Sequence, residues 1–240
     1  MAGKLIVGGV AIGNFKDIPQ RTIEAIESVD LIVAEHGTAF KNFLDKNKKA
    51  YKAEIINYLP EMHNPEKVIK TVHDTIIEGK DVLLLSNEGM PLIHDPGWEI
   101  VKSVVDSNLN ITVIPGPSAP IAALCVSGLE TVKFIFDSDA PQNYKEALEV
   151  YTVLKNEKRT TIYFDKIINV RMSVEWLNEI IGPERKICIC IDLTEGIERI
   201  ITKKASDMLE WCKTPDFRAY QFRDVKVVLI VEGAHPSQWW

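Results

Sequence analysis

Several side chains that can hold or transfer a proton follow short apolar stretches of the sequence: Glu35, Glu88, His94, Asp95 and Asp165. A base within hydrogen-bond reach of a weak nucleophile such as a hydroxyl accelerates its attack. Glu35 is favoured for such a site because an acid directly after a buried strand is costly unless it is paired. Asp165 is the candidate in the second half, with Lys166 as an electrostatic partner. We therefore predict Glu35, Asp165 and Lys166 as catalytic residues.

Structural explanations stay open for the remaining candidates. Asp95 precedes Pro96, and this pair is typical of a helix start, with Asp as the N-cap and Pro at the first helical position. Glu88 and His94 are equally compatible with solvated loop positions.

Four loops rich in glycine, proline and small polar residues each follow a predicted strand, at residues 9–14, 35–38, 86–97 and 115–119. Ligands of open parallel sheets bind beyond the carboxyl ends of the strands, so these loops can converge on one crevice, although the same residue types also simply make turns. Two nucleotide fingerprints fail in the first loop. Asn14-Phe15 replaces the Lys-Ser/Thr of a phosphate-binding loop, and glycines at 8, 9 and 13 do not give G-x-G-x-x-G.

Strands and helices alternate in the first half, and they must position these loops. The predicted strands are 5–7, 31–34, 81–85 and 111–114. Helices are expected after Asp17-Pro19, after Asp95-Pro96, and from Pro65 to Gly79 with Asn64 as N-cap. Strands that are apolar on both faces and separated by helices indicate a mainly parallel sheet.

The second half contains strands that follow one another more closely. They are predicted at 133–136, 160–164, 186–191, 197–202 and 225–231, with a helix from Val170 that stops at Gly182-Pro183. This spacing indicates antiparallel or mixed pairing. The predicted fold class is α/β with two domains, an N-terminal domain at 1–115 and a C-terminal domain at 131–233. Residues 116–130 form a turn and a short helix between them, and residues 234–240, including Trp239-Trp240, form a tail.

Composition points to an ordinary globular protein in the cytoplasm. The chain has 240 residues and a formal net charge of −6, and no apolar run approaches the roughly 20 residues that span a bilayer. An acidic balance argues mildly against a protein that wraps nucleic acid. Two local basic clusters remain candidates for RNA contact, although such runs are usually solvated faces: Lys46, Lys48, Lys49 and Lys52, and Lys155, Lys158 and Arg159.

Cys188 and Cys190 lie two residues apart in a predicted buried strand, which puts both sulfurs on one sheet face. A zinc site needs four ligands, and no further Cys-x-x-Cys or paired His spacing supplies them. We interpret the pair as core residues and predict no metal.

The motifs of the first half resemble those of a known family. They are Ile12-Gly13-Asn14, Asp17-Ile18, Ala34-Glu35, Pro91-Leu92-Ile93, Asp95-Pro96-Gly97 and Pro115-Gly116-Pro117-Ser118-Ala119. In this order they resemble the tetrapyrrole (corrin/porphyrin) methylase superfamily, and within it the small-subunit ribosomal RNA methyltransferases. The likeness covers most of residues 4 to 130 and returns weakly at 160–164, 192–194 and 227–233.

The resemblance implies two α/β domains with S-adenosylmethionine bound in the cleft between them, usually in a homodimer. It also implies methyl transfer to the ribose 2′-hydroxyl of a cytidine in 16S ribosomal RNA. By position in the motifs, the residues expected to bind the cofactor are Ile12, Gly13, Asn14, Glu88, Gly89, Met90, Pro91, Ile93, Asp95, Pro117, Ser118 and Ala119.

Departures from the family pattern cluster on the acceptor side of the expected cleft. The usual Glu-Asp-Thr-Arg is Glu35-His36-Gly37-Thr38, the usual Ser-Asp-Ala-Gly-Thr-Pro is 86–91 with Asn87, Glu88 and Met90, and the usual Tyr-Glu-Ser is Phe164-Asp165-Lys166. Donor-side glycines and prolines remain. Two alternatives therefore stay open: a methyltransferase that acts on a small, tetrapyrrole-like molecule, and a non-catalytic paralogue that binds the cofactor.

Overall fold

The computed structural model describes residues 2–46, 49–59, 65–223 and 225–234. Three sequence predictions lie outside these ranges: the Asn64 cap, the Lys48 member of the basic cluster, and the tail beyond residue 234. The chain divides after Ser118 into two compact units. Across the described ranges, the helices are all too short or too polar to traverse a bilayer.

The first unit is a five-stranded sheet flanked by helices. Its elements are β1 (Lys4–Gly8), a 3-10 turn (Phe15–Asp17), α1 (Gln20–Ser28), β2 (Leu31–Ala34), α2 (Gly37–Lys46), β3 (Glu54–Asn57), α3 (Pro65–Ile77), β4 (Val82–Leu85), α4 (Trp98–Asp106) and β5 (Asn110–Ile114). The strands lie in the order β3-β2-β4-β1-β5, and every neighbouring pair is parallel. The predicted parallel α/β arrangement is confirmed.

Both faces of this sheet are covered because its central strands are apolar throughout. Strands β2 and β4 are buried at every position. Helices α3 and α4 pack on one face through Val72, Ile76, Ile100 and Val104, each 0% exposed. Helices α1 and α2 pack on the other face. Burial of each such aliphatic side chain stabilises the fold by about 1.5–3 kcal/mol, so the strand ends and the loops that leave them rest on a rigid layer.

Some local predictions for the first unit are wrong. Helix α2 and strand β3 were not predicted, and the loop expected at 35–38 ends in the first turn of α2, at Gly37. The N-cap of α4 is Gly97, with φ 119°, so Asp95 does not cap this helix. Val105 was expected on the buried face of α4 but is 53% exposed.

The second unit combines a mixed sheet with five helices among its described residues. The elements are α5 (Ala119–Val126), β6 (Phe134–Asp139), α6 (Tyr144–Leu154), β7 (Thr160–Lys166), α7 (Val170–Ile181), β8 (Lys186–Ile191), β9 (Arg199–Lys204), α8 (Ala205–Trp211), α9 (Pro215–Arg218) and β10 (Lys226–Val231). The order is β6-β7-β10-β8-β9, in which only β6 and β7 are parallel. The predicted mixed pairing is confirmed.

Alternate residues of the second sheet enter two separate cores. One core lies under α6, α7 and α8 and includes Tyr151, Tyr163 and Leu177. The other lies under α5 and includes Cys188 and Cys190, whose sulfurs are 3.7 Å apart. The prediction that both cysteines are buried on one sheet face is confirmed.

Candidate functional site

The four predicted loops leave adjacent strands at one edge of the first sheet. They follow β1, β2, β4 and β5, and strands β2, β4, β1 and β5 are consecutive in the sheet. Because all are parallel, their carboxyl ends lie on the same edge. This edge is where ligands of open α/β sheets bind.

Main-chain hydrogen bonds join the loop after β1 to the loop after β4. The Val10 amide donates to the Gly89 carbonyl at 2.8 Å, and the Gly89 amide donates to the Ala11 carbonyl at 2.9 Å. Thr22 on α1, fully buried, donates its hydroxyl to the Gly9 carbonyl at 2.8 Å. The first loop is therefore held from two sides.

The loop after β1 also lies directly against the loop after β5. A Cβ placed on Gly9 would be 2.6 Å from the Gly116 Cα, and a Cβ placed on Gly116 would be 2.7 Å from the Gly9 Cα. Both contacts are with main-chain atoms, which cannot move aside as the end of a side chain can. Glycine at each position is what allows the two loops to meet.

Met90 connects all three loops. Its thioether accepts a hydrogen bond from the Gly116 amide at 3.1 Å. The same sulfur would be 2.8 Å from a Cβ on Gly9. Sulfur is a weak acceptor, and the unbranched side chain of methionine adapts well to irregular gaps.

Gly89 lies where several residues predicted to bind the cofactor converge. Its φ is +70°, and a Cβ there would be 3.2 Å from both Ile12 Cγ2 and the Pro117 carbonyl, with the Ser118 Cα at 4.0 Å. Further along this loop, Leu92 and His94 also have positive φ, at 73° and 71°. Non-glycine residues in that conformation cost about 1–3 kcal/mol each and concentrate at functional sites.

Carboxylates gather at the ends of β2 and β4. Glu35 accepts a hydrogen bond from the Asn87 amide at 2.6 Å, and His36 Nε2 is 4.0 Å from the other oxygen of Glu35. Burial raises the pKa of Asp95 to about 6, and the charge of Glu35 adds to this effect. Asp95 therefore titrates near neutral pH, as a proton acceptor at a working site should.

The candidates of the second unit behave differently. Asp165 is 8% exposed, and its two oxygens accept hydrogen bonds from the Ser173 hydroxyl and the Lys166 amide, both at 2.7 Å. Consecutive strand residues point to opposite faces of a sheet, so the exposed side chain of Lys166 projects away from the Asp165 carboxylate. Ala119 begins α5 and packs against the core beneath it.

The structure thus brings most of the predicted cofactor residues to one sheet edge: Ile12, Gly13, Asn14, Glu88, Gly89, Met90, Pro91, Ile93, Asp95, Pro117 and Ser118, together with Glu35. Asn14 caps the 3-10 turn by accepting from the Lys16 amide at 3.0 Å. Sequence reasoning missed Thr22, Asn87 and the Gly9–Gly116 contact. A threonine on the apolar face of α1 was the available signal for the first of these.

The predicted basic clusters are partly engaged in ion pairs. Lys52 contacts Asp30 at 3.2 Å, and Arg159 contacts Glu157 at 2.8 Å. Lys46, Lys155 and Lys158 are exposed.

Comparison with known sequences follows the same pattern as the motifs. The profile of the Tetrapyrrole (Corrin/Porphyrin) Methylases matches residues 4–209. The "Ribosomal RNA small subunit methyltransferase I" of Escherichia coli O157:H7 is 29% identical over 98% of this chain and 79% of its own length. The protein of the same name from Thermotoga maritima is 32% identical over 86% of this chain and 90% of its own.

Solved structures of corrin and porphyrin enzymes share the fold. The uroporphyrin-III-C-methyltransferase of Thermus thermophilus superposes with a TM-score of 0.60 at 15% identity, over 97% of this chain and 95% of that one. A cobalt precorrin-4 methyltransferase of cobalamin biosynthesis gives 0.63 at 16% identity, over 96% and 94%.

Proposed function

Because the chain belongs to the tetrapyrrole (corrin/porphyrin) methylase family and is an S-adenosylmethionine-dependent methyltransferase, we propose that its acceptor is the RNA of the small ribosomal subunit. The observation that carries this proposal is the match, over 86% or more of the chain, to relatives that all bear an RNA methyltransferase name. The corrin and porphyrin enzymes match in fold at only 15–16% identity.

The residues at the carboxyl edge of the first sheet suit the methyl donor. S-adenosylmethionine brings an activated methyl group on a positively charged sulfur. The carboxylates of Glu35 and Asp95, and that of Glu88 in the same loop, favour a cationic ligand over an anionic one. Main-chain groups of Gly13, Pro117 and Ser118 and the apolar side chains of Ile12 and Ile93 provide the polar and apolar surface that an adenosyl group requires.

Proton removal is the second task of the site. We propose a ribose 2′-hydroxyl of a cytidine as the acceptor, and this weak nucleophile benefits from a base. Asp95 suits that role because its pKa is raised to about 6, so it is largely ionised at neutral pH yet more basic than an ordinary carboxylate. Glu35, held by Asn87, supports it as a neighbouring charge.

Small subunits from cells that lack this modification provide the test. Purified protein and labelled S-adenosylmethionine should label the RNA of those subunits and leave already modified subunits unlabelled. Gly116→Ala should abolish labelling by disrupting the loops, whereas Gly196→Ala, at a position with no atom within 4 Å of the new Cβ, should retain it. Since ribosomal RNA resides in the cytoplasm, the protein is expected to act there.

Acceptor-side departures favour a second candidate, methylation of a small tetrapyrrole-like molecule. His36 and Thr38 stand where the RNA enzymes usually carry an acid and an arginine, and the net charge is −6. Labelling of uroporphyrinogen or a precorrin, with no labelling of RNA, would establish this candidate in place of the first. Binding of the cofactor with no product from either acceptor would instead favour the non-catalytic paralogue.

A further inference from the structure

Strand β5 forms an edge of the first sheet and exposes apolar side chains there. It pairs only with β1, residue for residue over all five positions. Ile111 and Val113 align with Leu5 and Val7, which places them on the face covered by α3 and α4. They are nevertheless 40% and 48% exposed.

Helix α4 extends this surface. Ser103 contacts His73 of α3 at 3.0 Å, so that side of α4 faces α3. Trp98 and Val105 lie on the opposite side by helical spacing, and they are 57% and 53% exposed. Trp98, Val105, Ile111 and Val113 together form what we call the β5 edge patch.

The other three sheet edges are protected against pairing with another chain, and β5 is not. Edge strand β9 carries Arg199, Lys203 and Lys204, and β6 carries Asp137 and Asp139 with a break in register. Edge strand β3 is four residues long and has exposed Glu54 at its start. Charges, bulges and short length are the usual devices that block edge pairing. Strand β5, with the sequence Asn-Ile-Thr-Val-Ile, has no charge, proline or bulge.

We infer that the β5 edge patch is the surface on which a second copy of this chain pairs, with β5 antiparallel to its counterpart about Thr112. In that register Ile111 of each copy lies opposite Val113 of the other, and the contact is the same on both copies, as a two-fold axis requires. Since α4 runs antiparallel to β5, the axis brings Trp98 of one copy to the end that carries Val105 of the other.

Local charge agrees with a self-pairing surface. The chain is acidic, with a net charge of −6, so two copies repel unless they meet at a neutral face. The charged residues of α4 are engaged within the unit: Lys102 pairs with Asp106, and Glu99 accepts from the Tyr58 hydroxyl at 3.1 Å. A nucleic acid, which needs cations, is therefore a poor occupant of this patch.

Sedimentation equilibrium of the full chain tests this inference. We expect the wild type to be a dimer, and we expect Val113→Lys to weaken the dimer by about a hundredfold or more, because each copy would bury an uncompensated charge. Ile77→Lys is the matched control, since Ile77 is 66% exposed on α3 of the same unit and should leave the dimer intact. A wild type that stays monomeric at all concentrations, or a Val113→Lys protein that folds and still dimerises normally, would overturn the inference.

A cross-linking variant covers the case in which Val113→Lys fails to fold. Thr112→Cys places a thiol on the proposed axis. Cys125, the exposed one of the four cysteines, is changed to Ser in the same protein. Mild oxidation should link two chains through Cys at 112, whereas Ile77→Cys in the same background should give no linked dimer. Absence of the 112–112 link in a protein that sediments as a dimer would place its interface elsewhere.

Discussion

Asp95 is the residue whose environment most directly affects chemistry. Its pKa of about 6 arises from burial first and from the neighbouring charge of Glu35 second. A carboxyl that must be ionised to accept a proton works above its pKa. Activity that depends on Asp95 should therefore rise as the pH passes through 6 and level off above it.

We predict that kcat/KM for RNA methylation follows a single ionisation near pH 6 and that Asp95→Asn lowers it by about 10²–10⁴-fold, the usual contribution of a general base. Glu35→Gln should shift the midpoint to lower pH, because it removes a charge that raises the Asp95 pKa. Rate measurements between pH 5 and pH 8, roughly spanning this transition, check both effects. An Asp95→Asn protein with the wild-type rate and profile would rule out Asp95 as the base.

Met90 is a positioning residue by its contacts. Its sulfur accepts from the Gly116 amide at 3.1 Å, and leucine of similar volume keeps the packing but offers no acceptor. We predict that Met90→Leu raises the Kd of S-adenosylhomocysteine about tenfold, from the loss of one weak hydrogen bond between two loops. Calorimetry measures this change, and Met172→Leu, at a residue 40% exposed on α7, is the control. Unchanged affinity in Met90→Leu would mean that packing alone holds the loops.

Loops at the ends of β1 and β5 depend on two glycines for their mutual contact. Gly116→Ala would bring a methyl group to 2.7 Å from the Gly9 Cα, and overpacking of this kind costs about 1–3 kcal/mol. We predict a lower free energy of unfolding and loss of donor binding in Gly116→Ala, measured by urea denaturation and calorimetry. Gly196→Ala has open space and should be neutral in both assays. Full donor binding by Gly116→Ala would show that these loops do not shape the site.

The junction of β7 and α7 holds a buried carboxyl that needs no substrate to explain it. Burial raises the pKa of Asp165 to about 6 even though Ser173 and the Lys166 amide hydrogen-bond to it. The folded state therefore retains this proton to a higher pH than the unfolded chain, whose carboxyl titrates near 3.9. Its contribution to stability is fully present below about pH 4 and is lost as the pH rises through about 6.

Asp165→Asn separates a structural role from a catalytic one. We predict that the variant unfolds at higher urea concentration than the wild type at pH 7, by up to about 2–3 kcal/mol, and by a smaller margin at acidic pH. Asparagine keeps the shape of the side chain without the buried charge. If Asp165 is instead the catalytic base that the sequence suggested, methylation is lost while stability rises. Retained methylation would remove it from the catalytic set.

How far the sequence predicts these elements depends on how local their determinants are. Strands β2 and β8 were predicted to the residue because their apolar runs are bounded by charged residues. Helix α2 was missed since it begins at Gly37, which reads as a turn residue. Its position depends on tertiary contacts, because a Cβ there would be 2.8 Å from Asn57 Oδ1 on β3. The Met90–Gly116 bond likewise joins two loops far apart in sequence, and no local pattern indicates it.

At the scale of the whole molecule, an acidic protein must meet a polyanion. The net charge is −6, and several cations are held in ion pairs, including Lys52 with Asp30 and Arg159 with Glu157. RNA contact therefore falls to exposed cations outside such pairs in the described residues, and Lys155 and Lys158 are candidates. A small-molecule acceptor would need neither of them.

Salt dependence distinguishes the two acceptors. Binding of ribosomal RNA releases counterions, so log K should fall linearly with log salt, by about 0.7 for each phosphate contacted on single strands. We predict that Lys155→Ala with Lys158→Ala reduces this slope by about 1 to 1.5 and weakens RNA binding at low salt, as filter binding over a salt series would measure. Lys70→Ala with Lys102→Ala removes two lysines that already pair within their own helices and should leave the slope unchanged. S-adenosylhomocysteine binding should vary little with salt in all of these proteins, because the donor site makes no contact with a polyanion. An RNA affinity that is independent of salt would count against the RNA acceptor and favour the small-molecule one.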